Sequence, residues 1–183
     1  MATAYYADNY NDNPVFIPGV MGVFAQPFSF NLANNATLVA AGGFIINDTL
    51  ALCQIPYKGG GGGVLVLGYN VELPELDTGN TIRVSLGDTG GSAGAFQATY
   101  FNDGLAGGTA AGVINPLMSF NDGTTAEAPV RGATPKQYTA ATASNGSLDF
   151  MLKIITAPGS GTVTGIIKGY LLMQPLGSNS VTF

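Results

Sequence analysis

The chain has 183 residues and a formal net charge of −5, and it contains unusually few charged side chains. Only 9% of its residues are Asp, Glu, Lys or Arg, against about 25% in an average soluble domain. Hydrophobic residues make up 46%, and 27 residues are glycine. Histidine is absent, which excludes Ser–His–Asp and Cys–His catalysis and removes the commonest metal ligand. The composition favours a structural or assembly protein over an enzyme.

The distribution of charge bears on the partners. The 6 cations are scattered and form no basic patch, so we predict no nucleic-acid partner. Residues 13–47 carry no charge, but Pro14, Pro18 and Pro27 interrupt them, so we predict no membrane-spanning helix. Residues 1–8 lack the features of a secretory signal, which predicts synthesis in the cytoplasm. No cofactor is predicted.

The first segment, residues 1–26, has no regular apolar period and is rich in Asn, Tyr, Pro and Gly. Proline and glycine break helices, so we predict an extended N-terminal arm. Disordered tails are poor in aromatic residues, whereas this segment contains several. We therefore predict that the arm docks on another surface. The predicted contact residues are Tyr5, Tyr6, Tyr10, Phe16 and Phe24.

Residues 27–175 form the second segment, in which Gly, Pro, Asn or Asp recurs about every ten positions. The short runs between these residues alternate apolar and polar side chains, which predicts β-strands. The predicted strands are residues 28–32, 36–46, 49–55, 64–73, 82–86, 95–101, 137–142, 148–154 and 165–174. Many short strands without helices predict an all-β fold, an antiparallel, jelly-roll-like β-sandwich. Residues 176–183 are predicted to be a C-terminal tail.

A run of five glycines follows Lys58, but it does not match a phosphate-binding loop. That motif needs the lysine after the glycines and a helix behind it, whereas here a predicted strand follows. The run is interpreted as a flexible loop. We predict it as a second contact region, through Lys58, Gly60 and Gly62.

Four further sequence patterns bear on possible chemical sites. Glu72, Glu75 and Asp77 are close in sequence and suggest a glycosidase carboxylate pair. Asp-Gly and Asp-Thr-Gly sequences are typical of turns. Residues 8–13 are dense in oxygen ligands but depart from the calcium-loop pattern, so a solvated arm is preferred. Cys53 lies in an apolar run and is interpreted as a small buried hydrophobe. We predict no catalytic or metal site.

Three stretches together resemble a class of small virion proteins of tailed phages. A strand ending in Ile55-Pro56 leads to a long strand, followed by the turns Leu76-Asp-Thr-Gly79 and Leu86-Gly-Asp-Thr-Gly90. A final hairpin spans residues 150–170. The resemblance covers residues 49–101 and 147–173 and is to capsid decoration, or cement, proteins. It implies a β-sandwich that forms trimers and braces the shell.

The resulting hypothesis is a homotrimer that decorates the outer surface of a phage capsid and cements neighbouring major capsid protein subunits. Low charge is consistent with a large obligate interface. Three alternatives remain open from sequence. One is a fibre or receptor-binding head that stacks host glycans on Tyr57, Tyr69 and Tyr100. The others are the glycan hydrolase and a cellular shell or matrix protein.

Overall fold

A computed structural model describes residues 2–10, 15–16, 22–56, 64–89, 96, 111–115, 118–121, 136–138 and 147–175. Within these ranges the chain forms eleven β-strands, one short 3-10 helix and one short α-helix. The strands are β1 (Ala4–Tyr6), β2 (Val15–Phe16), β3 (Phe24–Asn31), β4 (Thr49–Pro56), β5 (Val64–Leu73), β6 (Arg83–Asp88), β7 (Gly112–Asn115), β8 (Met118–Asn121), β9 (Lys136–Tyr138), β10 (Ser147–Thr156) and β11 (Ile166–Pro175). The 3-10 helix is Leu32–Asn34 and α1 is Ala36–Ala41.

The strands form two sheets. The four-stranded sheet has the order β1-β4-β10-β6, and the seven-stranded sheet has the order β2-β3-β11-β5-β7-β8, with β9 also paired to β5. Among the described strands, every pair is antiparallel except β1–β4. The predicted all-β sandwich is confirmed.

The order of the six long strands is that of a jelly roll. From β3 to β6, each consecutive strand lies in the other sheet, and β10 and β11 again lie in different sheets. The last two strands return to the centre, because β10 lies between β4 and β6 while β11 lies between β3 and β5. Such returning connections define the double Greek key.

The core lies between the sheets and follows from period-two alternation. Along β3 buried and half-buried residues alternate strictly. In β10 the alternating residues Leu148, Phe150, Leu152 and Ile154 are buried. Phe150 links the layers, because its ring centroid lies 6.0 Å from that of Phe28 and 5.8 Å from that of Tyr69.

The strand predicted at residues 36–46 is wrong, because α1 occupies its first half. The Asn35 side chain accepts a hydrogen bond from the Leu38 amide, which caps the helix N-terminus. Gly42 ends the helix in the left-handed conformation, with φ of 75°. Leu38, fully buried, anchors this single turn to the core. The capping residues Asn35 and Gly42 therefore favour a helix here, although the apolar alternation predicts a strand.

One end of the sandwich is held by the buried carboxylate of Asp77 in the β5–β6 loop. It accepts hydrogen bonds from the amides of Gly79, Thr81 and Ile82 in its own loop. It also accepts the amides of Gly159 and Ser160 in the β10–β11 loop, at 3.1 and 2.7 Å. Gly79 permits this approach, since a Cβ there would lie 2.9 Å from the Gly159 Cα.

The pKa of Asp77 reflects two opposing effects. Burial disfavours the charged form, but the backbone hydrogen bonds outweigh it and hold the pKa well below the ordinary value of 3.8. A carboxyl whose folded pKa is lowered stabilises the fold above its unfolded pKa. This stabilisation is lost as the pH falls through the folded value.

We expect Asp77→Asn to lower the free energy of unfolding by about 3 kcal/mol at pH 7, because charge-assisted hydrogen bonds are lost and amides stay buried. The difference from the wild type should shrink as the pH falls below about 4. Chemical denaturation at pH 7 and pH 3 measures both values. The matched control is the exposed neighbour in Glu75→Gln, expected within about 0.5 kcal/mol of the wild type. A Glu75→Gln effect as large as that of Asp77→Asn would contradict the assignment.

Candidate interaction surfaces

The N-terminal segment contains one extended strand, β1, followed by a turn at residues 8–10, and it packs on the domain itself. β1 pairs with β4 in the four-stranded sheet, while the Asp8 amide donates to the Ser29 carbonyl of β3 at 2.7 Å. The Thr3 amide donates to the buried carboxylate of Asp48, also at 2.7 Å. The segment therefore closes one edge of the sandwich by bonding to both sheets.

Two predicted contact residues of the arm belong to the core. Tyr5 is 4% exposed, and its ring lies 5.4 Å from that of Phe44 and 6.2 Å from that of Phe30. Phe24 is equally buried and is the first residue of β3, so the strand begins before the predicted domain boundary at residue 27. The prediction that Tyr5 and Phe24 contact a capsid is corrected, because both rings stabilise the core.

Tyr6 and Tyr10 form an aromatic pair on the outer face of the four-stranded sheet, here called the tyrosine platform. Tyr6 is 57% exposed, and the two ring centroids are 5.1 Å apart in an edge-on arrangement. The Tyr10 hydroxyl donates to the Asp149 carboxylate of β10 and accepts a bond of 3.4 Å from the Gln54 amide of β4. Burial, followed by the Asp149 hydrogen bond, raises the pKa of Tyr10 above its usual range.

The chain itself covers much of this outer face. Ala51 and Ser85 share outward rows with Met151 and Lys153 of β10, yet both are fully buried. The Lys153 ammonium lies 5.6 Å from the centroid of the Phe96 ring, within the range of a cation–π contact. Among the described residues of this face, Tyr6 is the large aromatic side chain that stays exposed.

The outer face of the seven-stranded sheet is different, because several apolar side chains at its outward positions are exposed or half-buried. Across β3, β11 and β5, one row consists of Pro27, Tyr170 and Asn70, and the next of Ala25, Leu172 and Gly68. Tyr170 is 42% exposed and Leu67, at the bulge of β5, is 36% exposed. We call these apolar positions the open face: Ala25, Pro27, Leu65, Leu67, Tyr170 and Leu172.

Charge is nearly absent from this surface. The outward positions described on β3, β5 and β11 include one cation and one anion, Lys168 and Glu72. Their side chains form an ion pair with an N–O distance of 3.2 Å and are exposed, at 58% and 45%. The pair lies at the polar end of the sheet, two residues along β11 from Tyr170, so it borders the open face.

Two of the three acids that suggested a glycosidase have other partners, and the third, Glu75, is exposed. Asp77 is buried and its oxygens are occupied by backbone amides, so it is not available as an acid or base. Glu72 is paired with Lys168. Among the glycan-stacking candidates, Tyr69 is 3% exposed and packs in the core. Tyr57 and Tyr100 lie outside the described residues.

The remaining predicted positions are placed as follows. Asp8 and Asn9, candidates for calcium, accept the Asn31 and Ser29 amides and thereby hold the N-terminal segment on β3. Cys53 is buried, and burial raises the pKa of its thiol. Three loop positions, together with the Phe16 side chain, lie outside the described residues. The loop positions are Lys58, Gly60 and Gly62.

Two other features, a metal centre and a membrane-spanning helix, are absent from the described part of the chain. Across those residues, His, Cys, Asp and Glu side chains form no group of three or more able to hold a metal ion. No helix there is long and apolar enough to cross a membrane.

We expect Tyr10→Phe to loosen the N-terminal segment by about 1–2 kcal/mol, because a hydrogen bond to a carboxylate is lost. Hydrogen exchange of the amides in residues 4–10 should accelerate accordingly. Tyr6→Phe is the matched control, since the Tyr6 hydroxyl forms no hydrogen bond with another residue that the structure describes. Equal acceleration in both variants would show that the Asp149 contact does not hold the segment.

Comparison with known proteins identifies a structural neighbour. No protein-family model matches the chain, and no curated protein sequence matches it. A chain of the structure titled "Capsid of Ralstonia phage GP4" is 19% identical and has a TM-score of 0.60, covering 97% of this chain and 99% of that one. The two chains therefore share one fold from end to end.

A chain of the "Cyanophage Pam1 capsid asymmetric unit" is also 19% identical, covering 93% of this chain and 99% of that one. Its TM-score of 0.42 is too low to show a common fold.

Proposed function

We propose that this chain is a structural virion protein of a tailed phage, that it decorates the outer surface of the capsid, and that it catalyses no reaction. As a homotrimer it cements neighbouring subunits of the major capsid protein. It is made in the host cytoplasm. The observation that carries the proposal is the end-to-end fold likeness to a chain of a phage capsid, at a TM-score of 0.60.

The surface chemistry supports an assembly role. Only 9% of the residues are charged, and the cores of stable interfaces are depleted in charge. A cement protein needs no reactive group, because it stabilises a shell simply by binding the assembled form better than free subunits. Several weak contacts per trimer add up through effective concentration, so no single contact has to be strong.

The surface proposed to meet the shell is the tyrosine platform. Tyr6 offers an exposed aromatic ring, and Tyr10 behind it is fixed by its hydrogen bond to Asp149. Aromatic residues held rigidly on a scaffold are typical of the energetically dominant positions in interfaces. The loop around Lys58, Gly60 and Gly62 remains a second, predicted contact region.

The test uses shells of the phage that encodes this chain, assembled without it. We expect the wild-type protein to co-sediment with these shells at a saturating ratio and to raise the temperature at which they disrupt. Tyr6→Ala should weaken binding at least roughly tenfold, since truncating a central aromatic residue costs about 2 kcal/mol. Its own unfolding temperature should stay close to that of the wild type.

Val39→Ala is the matched control, because Val39 is similarly exposed on α1, away from the platform. Failure of the wild type to bind shells, together with its absence from purified virions, would refute the proposed function. Equal binding by Tyr6→Ala and the wild type would instead refute the platform as the contact. Glycan binding without shell binding would favour the receptor-binding alternative.

A further inference from the structure

The open face of the seven-stranded sheet is an apolar surface that the rest of the described chain leaves uncovered. The two sheets differ in this respect. On the four-stranded sheet, outward residues such as Ala51 and Ser85 are already buried by the chain itself. On the seven-stranded sheet, Tyr170 and Leu67 remain 42% and 36% exposed. Contiguous exposed apolar surface of this kind marks a binding site.

We infer that the open face is the surface through which one copy of this chain binds a second copy. The inference rests on the proposed function for its assembly context, and it assigns the self-association surface to one sheet. The argument for a second copy as the occupant comes from charge, area and chemistry.

The distribution of charge on this face favours a second copy of the chain as the partner. Each copy carries a formal net charge of −5, so two copies repel one another wherever charged surfaces meet. The open face carries no formal charge, and Lys168 and Glu72 at its border neutralise each other. Two such surfaces can therefore meet without unpaired charge. A partner recognised through charge complementarity would have nothing to bind on this face.

The area is of the right order. The three long strands β3, β5 and β11 have 8, 10 and 10 residues. At about 3.4 Å per residue and 4.8 Å between strands, they project about 450 Å² of sheet. A stable interface needs about 800 Å² per partner. The short strands paired along both edges of this sheet widen the surface toward that value.

The chemistry of the face also suits a self-contact. Tyr170 is a large amphipathic side chain at the middle of β11, flanked across the strands by Pro27 and Asn70. Rigid aromatic residues at the centre of a patch are typical anchors of protein interfaces. Ala25 and Leu172, in the next outward row, are apolar and can exclude water around such an anchor.

The experiment compares two double variants with the same change in charge. Tyr170→Lys with Leu67→Lys places two cations on the open face, and Val39→Lys with Ile155→Lys places two at exposed apolar positions elsewhere. Each pair moves the net charge from −5 to −3 (−5 plus 2), which reduces overall repulsion between copies. A loss of association in the open-face variant alone is therefore due to the position of the two lysines and not to the change in net charge. Circular dichroism checks that both variants fold.

Light scattering coupled to size exclusion at micromolar concentrations gives the mass. We expect the wild type and the control variant to have a multiple of the 18.6 kDa chain mass. The open-face variant should dissociate to a single chain, with at least about 100-fold weaker association. A monomeric wild type, an open-face variant that stays oligomeric, or equal dissociation of both variants would overturn the inference.

Sedimentation with shells separates this inference from the proposed function. If the open-face variant is monomeric and still binds shells through the tyrosine platform, both stand. If the open-face variant stays oligomeric but fails to bind shells, the open face is the surface that docks on the shell. This result would refute the self-association inference but would leave the proposed function intact. If the wild type self-associates but binds no shell, the self-contact stands and the proposed function falls.

Discussion

The buried Asp77 carboxylate is the interaction on which the arrangement of the two sheets depends most. The jelly-roll order places β6 beside β10 and β5 beside β11, so the β5–β6 and β10–β11 loops lie side by side. Both loops cross from one sheet to the other. One carboxylate accepts amides from both loops, which ties the two crossings together. Its burial would be unfavourable without these donors, because an uncompensated buried charge is costly.

A second carboxylate acts in the same way at the same end of the sandwich. Asp48 precedes β4 and accepts the amides of Thr3 and Ile45, which fastens the N-terminal segment and the turn after α1. Tyr5 then inserts between the layers beside Phe44. The segment predicted as an extended arm that docks on another surface contains an edge strand of the domain itself, and it presents Tyr6 and Tyr10 outward on a firm support.

The fold class could be predicted from the sequence, but the residues that form the outer surfaces could not. Alternation in β3 and β10 is strict, so the sandwich could be predicted from period alone. The short helix α1 could not be predicted from the sequence, because its 6 residues are too few to show a helical period. The sequence also does not predict which of Tyr5 and Tyr6 is buried and which is exposed. Adjacent aromatic residues in a strand point to opposite faces, and only the pairing of β1 with β4 decides which ring is inside.

The position of the acids completes the argument for assembly. Asp48, Asp77 and Asp88 are buried, so these carboxyl groups add little to the surface that a neighbour would meet. Among the described residues, the outer face of β3, β5 and β11 carries a single ion pair and leaves Tyr170 and Leu67 exposed, whereas Ala51 and Ser85 on the other outer face are buried. Two faces with such different chemistry suit the two partners proposed above, a second copy on the open face and a shell subunit on the tyrosine platform.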